Sequence, residues 1–189
     1  MKHISVLISG GGSNLAAIIQ AIGQQRLKQI SISQVIADRD CTGKAHAFAA
    51  DIPFTMIDRK LGAAAFAQAL DAAIAPHSDL IVLAGFLSIM PESIIAKFPR
   101  KIINLHPSLL PKFGGAGMYG MHVHRAVIAA GETESGCSVH YVDTGIDTGE
   151  IIAQSRCPVL PDDSPESLQA RIAPLEHELL VSAINSVLN

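Results

Sequence analysis

Short apolar runs alternate with longer segments of helical periodicity along most of the chain. Residues 3–8 form a run rich in β-branched side chains that stops at glycines, and apolar residues then recur at helical spacing in 14–25. Residues 80–84 are apolar throughout, which is typical of a strand buried on both faces of a parallel sheet. The same criteria predict strands at 3–8, 32–37, 54–57, 80–84, 102–106, 135–142 and 150–159, and helices at 14–25, 43–50, 63–75, 91–98, 123–130 and 165–187.

This order of elements predicts an α/β fold. Strands that alternate with helices indicate βαβ units, so we expect a Rossmann-like, doubly wound, mostly parallel sheet with helices on both faces. The last third differs, because the strands 135–142 and 150–159 are joined by a turn-rich loop and predict an antiparallel C-terminal strand addition. Without repeats or a linker, the 189 residues predict one domain, 1–189.

The ends of two helices carry residues with strong capping preferences. Ser13 is the expected N-cap of the first helix. Ser164 is the expected N-cap of the last helix, with Pro165 at its first position and Ser167 close to the position that completes a capping box. Pro174 predicts a kink in the last helix.

Composition narrows the class of protein. Hydrophobic residues make up 49% and charged residues 16%, as in a globular protein with a large core. The formal net charge of −3 gives no general attraction to nucleic acid. No apolar run is long enough to cross a bilayer, and the first residues lack signal-peptide anatomy. The three cysteines are odd in number and lack CxxC spacing, so we expect reduced thiols in a cytoplasmic protein. We expect neither membrane nor nucleic-acid partners.

A glycine-rich segment, 9–14, separates the first predicted strand from the first helix. Successive glycines let backbone N–H groups approach an anion, and the helix N-terminus adds a favourable dipole. The dinucleotide pattern G-x-G-x-x-G fails because Leu15 takes the place of its third glycine, and the Walker pattern lacks its Gly-Lys-Ser/Thr. A monophosphate therefore fits better than a nucleotide di- or triphosphate. A tight turn without a ligand stays open as the alternative.

Asn104 and His106 stand two residues apart at the end of a predicted strand, so their side chains point to the same face. Acyl transfer passes through a tetrahedral oxyanion, which an amide and an imidazolium can stabilise. The imidazole could also supply a proton to the leaving nitrogen. Asp147 would favour the charged ring and raise its pKa, while Pro107 restricts the backbone of His106 to extended geometry. From these residues alone, acyl chemistry and a merely structural pair stand as even alternatives.

The remaining histidines and cysteines are weaker candidates. His122 and His124 have the same spacing, but no third ligand is evident, so we expect an exposed loop pair rather than a metal site. His140 is either a pocket residue or a core residue, and His177 is not assigned. Cys137 is expected to be a buried thiol rather than a nucleophile.

Five segments occur in a fixed order: ISGGGSN at 8–14, LAGF at 83–86, NLHPSLLP at 104–111, SVH at 138–140 and DTG at 147–149. Together they resemble the glycinamide ribonucleotide transformylases, also called phosphoribosylglycinamide formyltransferases, a family of folate-dependent formyltransferases. The likeness extends over essentially the whole chain. It implies transfer of a formyl group from 10-formyltetrahydrofolate to the amine of glycinamide ribonucleotide in de novo purine biosynthesis. The reaction would proceed by direct attack through a tetrahedral oxyanion intermediate, without a metal.

The resemblance also implies roles for individual residues. His106 would be the general acid and oxyanion partner, Asn104 would hold the formyl oxygen, and Asp147 would tune His106 and help to relay a proton. The side of the site that binds the substrate would comprise Gly12, Ser13, Asn14, Pro107 and Glu176. The formyl-folate would contact Leu87, Ser88, Ile89, Met90, Asn104, Asp143, Thr144, Gly145 and Ile146.

The chain departs from the family pattern at three places. Ser88 stands where many members carry an arginine, so a contact to the folate tail would be missing or replaced. Gly62 stands where the family has another arginine, for which Arg59 or Lys60 could substitute. The loop 113–122 is longer and richer in glycine than in the shortest members.

Three hypotheses remain open. The first is the formyltransferase described above, with glycinamide ribonucleotide and formyl-folate as its small-molecule partners and a monomer or weak homodimer as its assembly. The second is a relative that uses the same donor, either a methionyl-tRNA formyltransferase or a formyltetrahydrofolate hydrolase, which usually carry an additional domain. The third is a Rossmann-like nucleotide-binding module without catalysis.

Overall fold

Seven strands and six α-helices alternate along residues 1–189 in the computed structural model, which describes the whole chain. The strands are β1 (Lys2–Ile8), β2 (Ile30–Ala37), β3 (Phe54–Met56), β4 (Leu80–Leu83), β5 (Ile102–His106), β6 (Glu134–Tyr141) and β7 (Ile151–Pro158). The helices are α1 (Ser13–Gly23), α2 (Lys44–Ala49), α3 (Ala63–Ala73), α4 (Glu92–Lys97), α5 (Met121–Ala129) and α6 (Pro165–Leu188). Every predicted strand and helix is found, and no end differs from the prediction by more than two residues.

The strands form one sheet in the order β3-β2-β1-β4-β5-β6-β7. The pairs β1–β2, β1–β4, β2–β3 and β4–β5 are parallel, whereas β5–β6 and β6–β7 are antiparallel. The predicted fold class is therefore confirmed: a doubly wound, mostly parallel sheet with an antiparallel C-terminal addition.

The sheet is buried on both faces. On β1, Ile4, Val6 and Ile8 belong to an apolar cluster of 28 buried residues, whereas Leu7 belongs to a second cluster of 13. Successive side chains of a strand point to opposite faces, so the two clusters are the two sides of the sheet. The larger cluster contains residues of α1, α5 and α6, and the smaller one contains residues of α3 and α4. Helices therefore cover both faces, as expected.

A crevice opens where the strand order reverses, between the carboxyl ends of β1 and β4. The chain passes from β1 to β2 on one side, whereas β4 lies on the other side of β1. The loops that leave the two strands diverge, and doubly wound folds bind ligands in the space between such loops. The backbone N–H of Ser9 donates to the Gly85 carbonyl at 3.0 Å, which fixes the beginnings of the two loops beside each other.

The start of α1 corrects one prediction. Gly12, rather than Ser13, is the N-cap, and no side chain caps this helix. Gly12 has a φ of 73°, a left-handed conformation that glycine adopts without steric cost. The predicted cap at Ser13 was wrong because this glycine turns the chain into the helix one residue earlier. The first N–H groups of α1 are consequently left without a side-chain acceptor.

The start of α6 agrees with its prediction. Ser164 Oγ accepts a hydrogen bond from the Ser167 backbone N–H at 3.2 Å, and Ser167 Oγ accepts one from the Ser164 N–H at 3.0 Å. The helix continues through Pro174 as one element that ends at Leu188. None of the helices combines the length and the apolar composition that a membrane span requires.

The capping box makes a testable contribution to stability. Replacing Ser164 by Ala removes the acceptor for the Ser167 N–H, and we expect the free energy of unfolding to fall by about 1 kcal/mol. Urea denaturation measures this change. Ser182→Ala, at an exposed position within the same helix, is the control and should be neutral or slightly stabilising. Equal stability of the two variants would contradict a role for the cap.

Candidate active site

A cavity of about 800 Å³ opens at the crevice. Its walls are the glycine loop, the loops that follow β4 and β5, the segment 143–147, the loop before α5 and one face of α6. The structure brings every residue of the predicted site to these walls: Gly12, Ser13, Asn14, Leu87, Ser88, Ile89, Met90, Asn104, His106, Pro107, Asp143, Thr144, Gly145, Ile146, Asp147 and Glu176. Their proximity is a property of the fold, whereas the role of each residue stays a prediction.

Asn104 is held by a buried histidine on the neighbouring strand. The register of β5 and β6 sets Asn104 opposite His140, and Asn104 Nδ2 lies 3.1 Å from His140 Nε2. His140 Nδ1 donates to the Tyr141 carbonyl at 2.8 Å, so Nε2 accepts from the Asn104 amide. The second N–H of Asn104 makes only a long contact of 3.4 Å with Asp147 Oδ1. This N–H is therefore available to donate to a ligand oxygen in the cavity. His140 lines the cavity and is a pocket residue.

The His106 ring is oriented by partners on both of its nitrogens. Nε2 lies 2.8 Å from the Phe113 carbonyl, which can only accept, so Nε2 carries a proton. Nδ1 lies 3.4 Å from Asp147 Oδ2. The Phe113 carbonyl thus fixes the ring and leaves Nδ1, beside Asp147, as the nitrogen whose protonation can change during a reaction.

Burial determines the protonation of His106. The ring is 3% exposed, and this burial lowers the pKa of His106, although the charge of Asp147 and the Phe113 carbonyl both act to raise it. Asp147 thus acts in the expected direction on the pKa of His106, but burial outweighs it and the net shift is downward. The sequence identified the carboxylate but carried no measure of how completely the ring would be removed from water.

Asp147 occupies a strained backbone position in the loop between β6 and β7. Its φ is 57°, a left-handed conformation that aspartate tolerates better than most residues. Burial would raise the pKa of Asp147, but the neighbouring His140 ring, the charge of His106 and the Gly115 N–H hold it below the ordinary carboxyl value. The loop thus presents an ionised carboxylate to both Asn104 and His106.

The glycine loop rests directly on the start of the second helix. The Gly43 N–H donates to the Gly10 carbonyl at 3.1 Å. A Cβ added to Gly12 would lie 2.9 Å from the Cα of Gly43, and a Cβ added to Gly43 would lie 2.6 Å from the Gly10 oxygen. Only residues without side chains allow this approach. The uncapped N–H groups of α1 and the backbone of this loop therefore form a closely supported end of the cavity, suited to an anion.

Asn14 and Glu176 meet at the same end of the cavity. Asn14 Nδ2 donates to Glu176 Oε2 at 3.4 Å, while Asn14 Oδ1 is buried without a hydrogen-bond partner. Burial raises the pKa of Glu176, and the hydrogen bond from Asn14 opposes that shift. The unpartnered amide oxygen of Asn14 and the neighbouring carboxyl of Glu176 are two acceptors to which a ligand with N–H or O–H groups can donate.

His124 is a cavity residue that the sequence analysis placed wrongly. It was expected in an exposed loop, but α5 begins at Met121 and buries His124 to 2% exposure on the cavity wall. Its Nδ1 has no partner, and burial, followed by the charge of His106, lowers the pKa of His124. The predicted helix 123–130 already contained His124, and its place beside the apolar Val123 and three residues before Val127 would have put it on the buried face of that helix.

Cys137 agrees with its prediction as a buried thiol. It lies on β6 with no exposed surface, and burial, followed by the charge of Glu176, raises the pKa of Cys137 to about 12. Since the thiolate is the nucleophilic form, this side chain is a packing residue.

Comparisons with known proteins agree with this arrangement. The family model described as "Formyl transferase" matches residues 2–184. The chain is 34% identical to the chloroplastic phosphoribosylglycinamide formyltransferase of Arabidopsis thaliana and 39% identical to that of Vigna unguiculata, over 98% of its own length in both cases. It spans only 65% and 61% of the length of these two relatives.

A solved structure gives the same result. Glycinamide ribonucleotide transformylase 1 from Symbiobacterium toebii superposes with a TM-score of 0.90 at 36% identity, over 98% of this chain and 86% of that chain. The resemblance inferred from the five sequence segments is confirmed.

The protonation of His106 can be tested by NMR titration of the imidazole. Its pKa should lie below the ordinary histidine value, and Asp147→Asn should lower it further because the variant removes a charge that stabilises the imidazolium. The exposed Asp162→Asn is the control and should leave the titration unchanged. A rise in the pKa of His106 in Asp147→Asn would contradict this account.

The lowered pKa values of His106 and His124 predict the direction in which stability changes with pH. The unfolded chain binds protons at His106 and His124 at a higher pH than the folded protein does. The free energy of unfolding should therefore fall as pH decreases below about 6.5.

Proposed function

The chain belongs to the formyl transferase family, and on that basis we propose that it transfers a formyl group from 10-formyltetrahydrofolate to the amine of glycinamide ribonucleotide in de novo purine biosynthesis. The observation that carries the proposal is the meeting of Asn104, His106 and Asp147 in one cavity, between a glycine loop and a second pair of loops. The names of the two plant relatives and of the solved structure support the choice of substrates.

The chemistry follows from the two fixed donors. The amine nitrogen bonds to the formyl carbon, and the carbonyl oxygen becomes negatively charged as the carbon becomes tetrahedral. The free N–H of Asn104 and a protonated His106 Nδ1 stabilise this oxyanion, and fixed donors of this kind contribute roughly 3 kcal/mol each. The ordered Phe113 and His140 contacts fix both groups in advance, so little reorganisation is needed during the reaction.

Proton transfer completes the reaction. The bond between the formyl carbon and the donor nitrogen breaks, and that nitrogen must receive the proton that the amine loses. His106 supplies and recovers this proton as general acid, with Asp147 stabilising the charged ring. The lowered pKa of His106 favours a ring that releases its proton readily once it has been charged.

The two ends of the cavity suit the two substrates. The phosphate of glycinamide ribonucleotide binds at Gly12, Ser13 and Asn14, where the N–H groups of α1 have no cap. Its amine side lies near Glu176 and Pro107, which also line the cavity. The formyl donor occupies the other end, against 87–90 and 143–146, where apolar side chains and backbone polar groups suit a flat ring with a polar edge.

The proposal also covers the compartment and the assembly state of the protein. We expect the protein to act in the cytoplasm, because its three cysteines are free thiols and two of them are buried. We also expect a monomer or a weak homodimer, because the cavity is lined by a complete set of groups from one chain. Analytical ultracentrifugation across a range of concentrations tests the assembly state.

A formyl-transfer assay with purified protein, glycinamide ribonucleotide and 10-formyltetrahydrofolate tests the activity. We expect transfer by the wild type, and losses in kcat of about 10²- to 10³-fold in His106→Ala and Asp147→Asn, since each loses a contribution to charge stabilisation or proton transfer. The exposed, remote His77→Ala is the control and should keep full activity.

The same assay separates the competing hypotheses. Release of formate without an acceptor would indicate a hydrolase, and formylation of methionyl-tRNA would indicate the tRNA-directed relative. Absence of transfer by the wild type, or full activity of both variants, would overturn the proposal.

The phosphate end can be tested through Gly43, which does not itself line the cavity. An added Cβ would meet the Gly10 oxygen, Ile8 Cδ1 and the Gly12 nitrogen at 2.6, 2.8 and 3.1 Å, so Gly43→Ala should displace the glycine loop. We expect the KM for glycinamide ribonucleotide to rise about 10-fold, with little change in the KM for the formyl donor. Gly23→Ala, where an added Cβ has open space, is the control. An effect confined to the formyl donor would contradict the placement of the phosphate.

A further inference from the structure

Asp38 is a fully buried carboxylate at the carboxyl end of β2. Its side chain has no exposed surface and accepts hydrogen bonds from Arg39 Nε and Arg39 Nη2, both at 2.8 Å. The Ser88 hydroxyl donates to Asp38 Oδ2 at 2.6 Å. Asp38 does not line the cavity, but Ser88 does.

The same carboxylate also reaches the glycine loop. Ser9 begins that loop and lies beside Asp38, one residue beyond the Ile8–Ala37 pair of the β1–β2 ladder. The Ser9 hydroxyl accepts a hydrogen bond from the Leu87 N–H at 2.8 Å. The Ser9 N–H in turn bonds to the Gly85 carbonyl. The buried charge of Asp38 thus lies next to both loops that line the crevice. It reaches the glycine loop through Ser9 and the 87–90 loop through Ser88.

The contacts of Asp38 are strong enough to hold these loops. Burial would raise the pKa of Asp38, but the hydrogen bonds from Arg39, Ser88 and Ser9 and the charge of Arg39 hold it below the ordinary carboxyl value. An ionised carboxylate without access to water depends on every one of its donors, because the loss of one leaves a buried charge poorly compensated. The two loops therefore cannot separate without a large electrostatic cost.

We propose that Asp38 is a positioning residue that sets the distance between the glycine loop and the 87–90 loop, and thereby the distance between the two bound substrates. The identity of these substrates rests on the proposed function. Asp38 touches neither of them. It acts through Ser9 on the wall that binds the phosphate and through Ser88 on the wall that binds the formyl donor.

Kinetics of substituted proteins test this role. In Asp38→Ala we expect kcat to fall about 10²-fold, as for a misplacement of reacting groups by about 1 Å, with a rise in the KM for both substrates. Asp38→Asn keeps one acceptor oxygen and should recover part of the loss. Ser88→Ala should raise the KM for the formyl donor alone. If Ser88 acts through Asp38, the double variant should be no worse than Asp38→Ala.

The chain offers a closely matched control. Asp163 pairs with Arg171, and the exposed side-chain fractions of this pair, 3% and 27%, are almost those of Asp38 and Arg39, 0% and 28%. Asp163 lies at the start of α6 and does not line the cavity. Asp163→Asn should lower the thermal stability much as Asp38→Asn does, while kcat and both KM values stay at the wild-type level. A purely structural role for Asp38 would make the two variants kinetically alike.

Amide hydrogen exchange provides a readout that needs no activity. In Asp38→Asn the Ser9 and Leu87 amides should lose protection together, because their hydrogen bonds join the two loops, whereas Asp163→Asn should leave both protected. Wild-type protein without formyl transfer would overturn the proposed function, and the exchange experiment would still decide the role of Asp38. Unchanged exchange, or kinetics of Asp38→Asn equal to those of Asp163→Asn, would overturn the inference.

Discussion

The parallel pairing of β1 with β4 is the constraint on which the rest of the structure depends. Val6 opposes Val82 and Leu7 opposes Leu83, and none of these side chains has more than a few per cent of its surface exposed. Because both faces of these strands are covered, a change of register would exchange the two apolar faces and bury polar groups. The reversal of strand order at this pair creates the crevice, and the loops after β1, β4 and β5 all open into it. The position of the cavity is therefore fixed by core packing.

Periodicity was sufficient to predict the elements and the sheet, because it reports burial directly. The apolar run at 80–84 and the motif strand at 102–106 were both recognisable in this way, and both became central strands. The residues predicted for the site all line the cavity, and they were named mainly through a resemblance spread over five segments. The approach of Asp147 to Asn104, 43 residues earlier in the sequence, depends on the path of the loop 142–150, which no local pattern encodes.

The errors have a common physical origin. The left-handed Gly12 and the burial of His124 on α5 depend on backbone conformation and on packing by distant segments. Local propensity assigned the cap to Ser13, and the spacing of His122 and His124 without a third ligand led to the expectation of an exposed loop. Tertiary context overrode each of these assignments. Both departures lie at the walls of the cavity, which is where departures from local rules are expected in a functional site.

The close approach of Gly43 to the glycine loop has a consequence for the modularity of the fold. The loop 9–14 looks like a self-contained motif of one strand and one helix, yet its floor is the turn that precedes α2, in the next βα unit. Grafting 9–14 alone onto another sheet would leave out the surface against which it is shaped. Evolution could therefore exchange these two units between related proteins only as a pair, and the smallest transferable unit that contains the loop runs from β1 through the start of α2.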